Sequence, residues 1–204
     1  TANRLIRSLV AESGGDGEIV AERYVPLGAQ DFGEIIEDLR RLRPQLVFNT
    51  LNGDSNLAFF RQLHAAGLPA GEIPVLSVSV AETELQSIAD AAEGHLACWN
   101  YFQSLDLPDN QRFVARFRER YGPARVCSAP IVLAYCQIYL WKQAVEAAGT
   151  WDVAEVARHV IGQSFRGPAG ELTIEANRHA TMRAYVGRAN SAGQFDVVWA
   201  SPQP

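Results

Sequence analysis

The sequence predicts an α/β protein: a parallel sheet with flanking helices, followed by a helical segment and a C-terminal β-hairpin. In the first half, short apolar runs alternate with amphipathic helical patterns, which is typical of right-handed βαβ units. Beyond residue 104, two long helical patterns follow each other without an intervening strand. From Gly170 onward the alternation returns to a period of two, with a turn at Ser191-Ala192-Gly193.

Turn and capping residues delimit the elements of the first half. Asp31 and Glu34 have the spacing of a capping box, and Pro44 ends the helix that they begin. A polar cluster after Thr50 begins a further helix, which ends near Gly67. The other elements predicted here are the strands Glu18–Val25, Gln45–Thr50, Pro74–Ser79 and His95–Phe102 and a short helix over Ala81–Ile88.

The second half begins with helices and ends with strands. Helices are predicted over Asp109–Tyr121 and Pro130–Ala148, the second with a proline near its start and Gly149 past its end. Trp151 and Val156 have the spacing of a hydrophobic staple around a capping box. The strands predicted after them are Glu171–Ile174, Met182–Ala189 and Phe195–Trp199.

Composition limits the classes of partner and of chemistry. Of the 204 residues 48% are hydrophobic and 20% are charged, which is enough apolar material for a sizeable core. The net charge of −5 argues against nucleic acids and anionic membranes as partners. The three cysteines are an odd number and contain no CxxC, so we expect small buried side chains rather than a disulfide framework or a metal site.

Polar residues follow the predicted strand that ends at Thr50. Asn52, Asp54 and Ser55 would lie beyond the carboxyl end of that strand, where open α/β sheets bind their ligands. The alternative is that Asp54 or Ser55 only caps the next helix, and position alone favours the cap. Both roles can coexist, because a helix cap lies at the mouth of the same crevice.

Two further candidates follow the next strands. Ser79 ends the run Val75–Ser79 and would point to the same crevice, or it could cap Ala81–Ile88. Tyr101 ends the fourth strand, where its ring could line a ligand and its hydroxyl could bind it. The alternative is core packing, which we expect for Trp99 and Phe102.

Signatures of catalysis are missing from the sequence. The four histidines are scattered, no nucleophile is paired with a base, and there is no GxSxG, P-loop or GxGxxG motif. We therefore predict a binding protein without a catalytic residue, metal or cofactor.

Several runs, taken in order, resemble the urea and short-chain amide receptors. These receptors belong to the branched-chain amino-acid class of periplasmic binding proteins, type I, and the resemblance is closest to the urea-binding subunit of ABC importers. The runs are Tyr24–Gly28 with Asp31-Phe32, Val47–Asn56, Ser77–Glu82, Gly94–Ser104, Tyr139–Trp141 and Gly193–Trp199. The resemblance implies capture of a small polar solute between two lobes and delivery to a membrane permease. It also implies a periplasmic or an extracellular, lipid-anchored protein.

The resemblance further implies how the chain is organised. Residues 1–103 would be the core of the C-terminal lobe without its first strand, and 104–166 a helical segment that packs on an N-terminal lobe outside this chain. Residues 167–204 would return to the C-terminal lobe as a hairpin. We expect exposed apolar surface on such a fragment, and possible self-association.

Within this family the candidate residues take defined roles. Asp54 and the Asn52 carbonyl suit the N–H groups of urea, and the hydroxyls of Ser79 and Tyr101 suit its oxygen. Two alternatives remain open. One is a cytoplasmic amide-sensing regulator of the amidase-operon type, whose ligand-facing positions in this lobe fall on Asn52 and Ser79. The other is a branched-chain amino-acid receptor, which would place an ammonium group near Asp54 and Ser55.

Overall fold

The computed structural model describes residues 2–15 and 17–202. The helices are α1 (Ala2–Glu12), α2 (Gly33–Leu42), α3 (Asp54–Ala65), α4 (Glu82–Leu85), α5 (Ala89–Ala92), α6 (Pro108–Tyr121), α7 (Ala129–Ala148) and α8 (Val153–His159). The strands are β1 (Val47–Asn49), β2 (Val75–Ser77), β3 (Leu96–Trp99), β4 (Ser164–Gly167), β5 (Gly170–Ile174), β6 (Ala180–Thr181), β7 (Tyr185–Ala189) and β8 (Phe195–Ala200).

The main sheet has five strands in the order β1-β2-β3-β7-β8. The first three are parallel, with Val47 beside Val75 and Leu76 beside Leu96. β7 and β8 are the predicted hairpin, and β7 adds antiparallel to β3. The predicted α/β fold with flanking helices is therefore confirmed, as a sheet that is mixed rather than wholly parallel.

Helix α3 supplies much of the core beneath this sheet. Phe59, Phe60 and Leu63 are buried on one face of the helix. Phe60 meets Phe59 edge-on with ring centroids 5.5 Å apart and meets His95 at 5.3 Å. Each such side chain contributes about 2–3 kcal/mol through burial, so α3 is fixed firmly on the sheet and its N-terminal end is held in place.

A second, smaller antiparallel sheet has the order β4-β5-β6 and lies with the helices of the second half. Helix α7 carries a buried residue at every fourth position, namely Val132, Cys136, Leu140 and Ala144. Cys127 and Cys136 are buried, as the composition suggested, and Cys98 is half-buried. Residues 167–204 were expected to return to the main sheet as a hairpin. Strands β7 and β8 of this range belong to the main sheet, whereas β5 and β6 belong to the smaller sheet beside the helices.

Two predicted features of the N-terminal third are wrong. Residues 18–25 form no strand, because no described strand lies alongside to accept their backbone hydrogen bonds. The predicted capping box is also absent. Phe32 is 1% exposed and takes the N-cap position, so α2 begins one residue later than a box at Asp31 requires. Asp31 instead accepts a hydrogen bond from the Gly33 amide at 3.0 Å.

The start of α8 is half as predicted. Asp152 caps the helix by accepting hydrogen bonds from the amides of Ala154 and Glu155 at 3.0 and 3.1 Å. The predicted staple is wrong, because Trp151 is 81% exposed. The other half of the capping box is absent, because the Asp152 amide donates to Thr150 and Glu155 pairs with Arg158. No helix in the described part of the chain is long and apolar enough to cross a membrane.

Gly187 in β7 provides a test of how the main sheet packs against Phe102, in the segment that follows β3. A Cβ there would lie 2.8 Å from both Phe102 and Phe195, so Gly187→Ala should lower the free energy of unfolding by about 2 kcal/mol through overpacking. Gly71→Ala is the matched control, because nothing lies within 4 Å of a Cβ at that position. Chemical denaturation of both variants measures the difference, and equal stabilities would contradict this packing.

Candidate functional site

The carboxyl ends of β1, β2 and β3 open onto one edge of the main sheet, because these strands are parallel. Side chains tie together the loops that follow them. The Ser79 hydroxyl donates to the Leu51 carbonyl, and the Trp99 indole donates to the Val80 carbonyl at 2.8 Å. The predicted convergence of these loops is therefore present in the structure.

A buried polar network fixes the shape of the first loop. The Asn49 amide donates to Asn56 Oδ1 and Ser77 Oγ, each at 2.9 Å, and its Oδ1 accepts from the Leu51 amide at 2.8 Å. The Asn56 amide donates to the Leu51 carbonyl at 3.0 Å and to Ser79 Oγ at 3.3 Å. Because these groups satisfy one another, the loop is held in one shape before any ligand arrives.

Asn52 and Asp54 lie exposed at the tip of this loop. Asn52 makes one weak local bond, from its amide to the Thr50 carbonyl at 3.2 Å. Helix α3 begins at Asp54, and its N-cap is Gly53 with φ 61°, a left-handed conformation that favours glycine. The capping alternative for Asp54 and Ser55 is therefore wrong: no side-chain cap is present, and the Asp54 carboxylate is free to face solvent.

Ser55 and Tyr101 are buried in this conformation. Ser55 is 2% exposed, and its hydroxyl has no hydrogen-bond partner within the described residues. Tyr101 is fully buried and donates to Asn110 Oδ1 at 2.8 Å, and this burial raises the pKa of the phenol. A ligand would reach these two groups only after a change of conformation.

Ser79 does not cap a helix either. It lies two residues before Ala81, which is the N-cap of α4 and whose amide donates to Glu84 at 3.0 Å. Of the aromatic group, Phe102 is buried as expected, while Trp99 is only half-buried.

The electrostatics of this edge are one-sided. No lysine or arginine occurs between Pro44 and Phe60 or between Leu76 and Ser104. The exposed groups at the loop tip are the Asn52 amide and the Asp54 carboxylate. The loops after β1, β2 and β3 thus supply hydrogen-bond acceptors and a negative charge, and the cationic side chain at this edge is Arg183, which is exposed two residues before the β7 residue that pairs with Trp99.

Two residues that sequence reasoning did not single out complete the structural picture. Asn49 organises the first loop, and Gln103 joins the crossover to its surroundings. Asn49 did carry a signal, because it is the one polar residue in the run Leu46–Asn49 of a buried strand. Gln103 carried none, because its partners are distant in sequence.

The family follows from a comparison with known proteins. The model of the periplasmic binding protein domain matches residues 1–204. This chain belongs to that family. The membership accounts for the parallel strands and the returning hairpin.

Two curated relatives differ in how much of their length is matched. The Leu/Ile/Val-binding protein homolog 6 of Brucella melitensis is 29% identical over 175 residues, which are 83% of this chain and 45% of that protein. A limonene hydroxylase of Geobacillus stearothermophilus is 38% identical over 113 residues, 55% of this chain and only 21% of that protein. The chain thus spans less than half of either relative.

Solved structures share the fold. A solute-binding protein of Rhodopseudomonas palustris in complex with p-hydroxybenzoic acid is 26% identical with a TM-score of 0.84, covering 100% of this chain and 57% of that one. The leucine-binding protein of Thermotoga maritima is 23% identical with a TM-score of 0.79, covering 98% and 55%. The chain therefore spans about half the length of these proteins as well.

Proposed function

We propose that the chain is part of the solute-binding protein of an ABC importer and that its exposed edge binds a solute rich in N–H groups, such as urea or a short-chain amide. The observation that carries this proposal is that Asn52 and Asp54 are both exposed at the loop tip, on a loop that has no cationic side chain. Urea and amides present N–H donors, for which these oxygens are acceptors. Unpaired donors in a closed site are costly, so the same oxygens would give selectivity.

The organisation of the chain supports capture by a clamp. The chain crosses between the main sheet and the helical part twice, after β3 and before β7. Exposed apolar side chains such as Ile138 (63%) and Trp141 (52%) lie on the helical part. We infer that this part belongs to the second lobe of a longer protein and that the rest of that lobe covers this surface. Ligand bridging the lobes would then favour the closed form.

A branched-chain amino acid is the second candidate ligand. The curated Leu/Ile/Val-binding relative supports it, and Asp54 could pair with the ammonium group. A benzoate, as bound by the Rhodopseudomonas neighbour, fits this edge less well because its carboxylate would face Asp54. In each case we propose a membrane permease as the partner and a periplasmic location, with lipid anchoring as a further proposal.

The experiment that separates these ligands is a titration of the isotopically labelled chain followed by amide NMR. Urea, acetamide, leucine and 4-hydroxybenzoate are added separately at millimolar concentration. We expect urea or acetamide to shift the amide signals of Asn52, Asp54 and Ser79 and 4-hydroxybenzoate to leave them unchanged. Shifts with 4-hydroxybenzoate alone, or with none of the four, would overturn the proposal.

A pair of isosteric variants makes the titration site-specific. Asp54→Asn removes the charge at the loop tip and should abolish any response to leucine, while amide binding loses about tenfold or less. Asp90→Asn is the matched control, because Asp90 is exposed in α5, before β3 and so at the opposite edge of the sheet. If both variants behave alike, Asp54 has no part in binding.

A further inference from the structure

Gln103 stands where the chain leaves the main sheet and enters the helical part, and all its polar groups are engaged. Its amide donates to Glu82 Oε1 at 2.6 Å, and its carbonyl accepts from Asn110 at 2.9 Å. Its side chain donates to Gln194 at 2.8 Å and accepts from the Cys127 amide at 2.7 Å. We call these five residues the Gln103 junction.

The Gln103 junction connects the two parts of the molecule. Glu82 lies in α4 after β2, and Gln194 lies in the turn between β7 and β8, so both belong to the main-sheet part. Asn110 lies in α6, and Cys127 lies just before α7, so both belong to the helical part. Gln103 therefore bonds to both parts of the molecule through its own polar groups.

We propose that Gln103 is the positioning residue of the joint between the two parts and that gain or loss of a proton on Glu82 tightens or loosens this joint. The proposal concerns the joint alone and holds for any ligand.

The geometry around Glu82 makes ionisation costly. Its side chain is 1% exposed, and Oε2 has no hydrogen-bond partner within the part of the chain that the structure describes. The titratable groups facing it are Glu84 on its own helix, Tyr101 after β3 and Cys127 before α7, and none of these is cationic. None of the ion pairs among the described residues includes Glu82.

Burial accordingly raises the pKa of Glu82 to about 7, although the hydrogen bond from Gln103 works in the opposite direction. Burial likewise raises the pKa of Cys127 to about 11, so this thiol stays neutral beside it. Arg118 lowers the pKa values of Tyr101 and Cys127 by its charge, but burial outweighs it at both. An ionised Glu82 is thus an uncompensated buried charge.

The consequence is a coupling between the proton and the conformation of the joint. With Glu82 protonated, the neutral carboxyl can remain buried in the junction as the structure shows it. With Glu82 ionised, any conformation that admits water to Oε2 is stabilised. In such a conformation the hydrogen bond from the Gln103 amide to Glu82 is weakened. Proton uptake therefore accompanies tightening of the joint.

Hydrogen exchange of the Gln103 amide tests this coupling in the chain as it exists. Its protection factor, corrected for the intrinsic pH dependence of exchange, should fall at least tenfold between mildly acidic and mildly alkaline pH. The amide of Phe60, in the middle of α3, serves as the internal reference. In Glu82→Gln, whose side chain cannot ionise, the protection should stay constant across the same range.

Glu84→Gln is the matched control, because it removes a neighbouring carboxylate that accepts the Ala81 amide instead. It should keep the pH dependence of the wild type. A flat profile in the wild type, or an unchanged fall in Glu82→Gln, would overturn the proposal.

A second measurement needs no variant. The side-chain carboxyl carbon of Glu82 in the wild type, followed by NMR, should titrate near neutrality. A midpoint in the ordinary range of a glutamate would show that Glu82 is not held dry and would end the proposal. Neither measurement uses a ligand, so its failure is distinguishable from a failure of the proposed solute binding.

Discussion

Replacing Asn56 with alanine is expected to lower the free energy of unfolding by about 3 kcal/mol and to disorder the loop that carries Asn52 and Asp54. Asn56 is fully buried and bonds to Asn49, Leu51 and Ser79. Alanine removes both amide atoms, leaves Asn49 with an unsatisfied donor and opens a small polar cavity. Three lost hydrogen bonds at about 1 kcal/mol each account for the magnitude.

Asn52→Ala is the matched control for this prediction. Asn52 lies four residues earlier, on the loop before α3, is exposed and makes a single local bond. Its replacement should change the free energy of unfolding by no more than about 0.5 kcal/mol. Urea denaturation measures both variants. If Asn56→Ala were as stable as Asn52→Ala, the polar network would not hold the loop.

The strands and helices that bury a regular apolar face could be predicted from the sequence. The pattern of α3, with Phe60 and Leu63 on one face, fixes both the helix and its attachment to the sheet. The parallel order of β1 to β3 follows from their alternation with helices. The residues that follow these strands could be placed together at one edge of the sheet for the same reason.

Local patterns failed where a distant partner decides the structure. The alternation of Glu18–Val25 is that of a strand, but a strand also needs a neighbour to bond with. Tyr101 was predicted to line a ligand because an aromatic ring with a hydroxyl follows a strand, yet its hydroxyl donates to Asn110 in the core. Gln103 lies in the loop between β3 and α6, where the sequence pattern gives no sign of its partners. Its four hydrogen-bond partners come from both parts of the molecule and meet only in the folded structure.

Two buried titratable groups should make the stability of the protein respond to pH in opposite directions. Burial raises the pKa of Glu82 from 4.5 to about 7. The folded protein therefore binds this proton more tightly than the unfolded chain. The contribution to stability is fully present below the unfolded value of 4.5 and is lost as the pH rises through about 7.

His95 works the other way. The Val75 amide donates to His95 Nδ1 at 3.1 Å, which requires a neutral ring, and burial lowers the pKa from 6.5 to about 4. Its contribution to stability is present above 6.5 and is lost as the pH falls toward 4. Each of these two changes in pKa corresponds to about 3 kcal/mol, so the two contributions nearly cancel in the wild type.

Variants that remove one of the two titratable groups should show the contribution of the other to the pH dependence of stability. Relative to the wild type, Glu82→Gln should lose about 3 kcal/mol of stability between about pH 8 and about pH 4.5, because only the His95 contribution then remains. His95→Asn keeps an acceptor near the Val75 amide and should gain a similar amount over the same interval, although it starts from a lower stability because the ring contact with Phe60 is lost. Urea denaturation across this interval gives both slopes, and the surface carboxylates cancel in the difference from the wild type. Parallel profiles for the two variants would mean that neither group is buried as the structure shows. Opposite slopes would locate the two protons that folding binds and releases at Glu82, the first residue of α4, and at His95, the residue before β3.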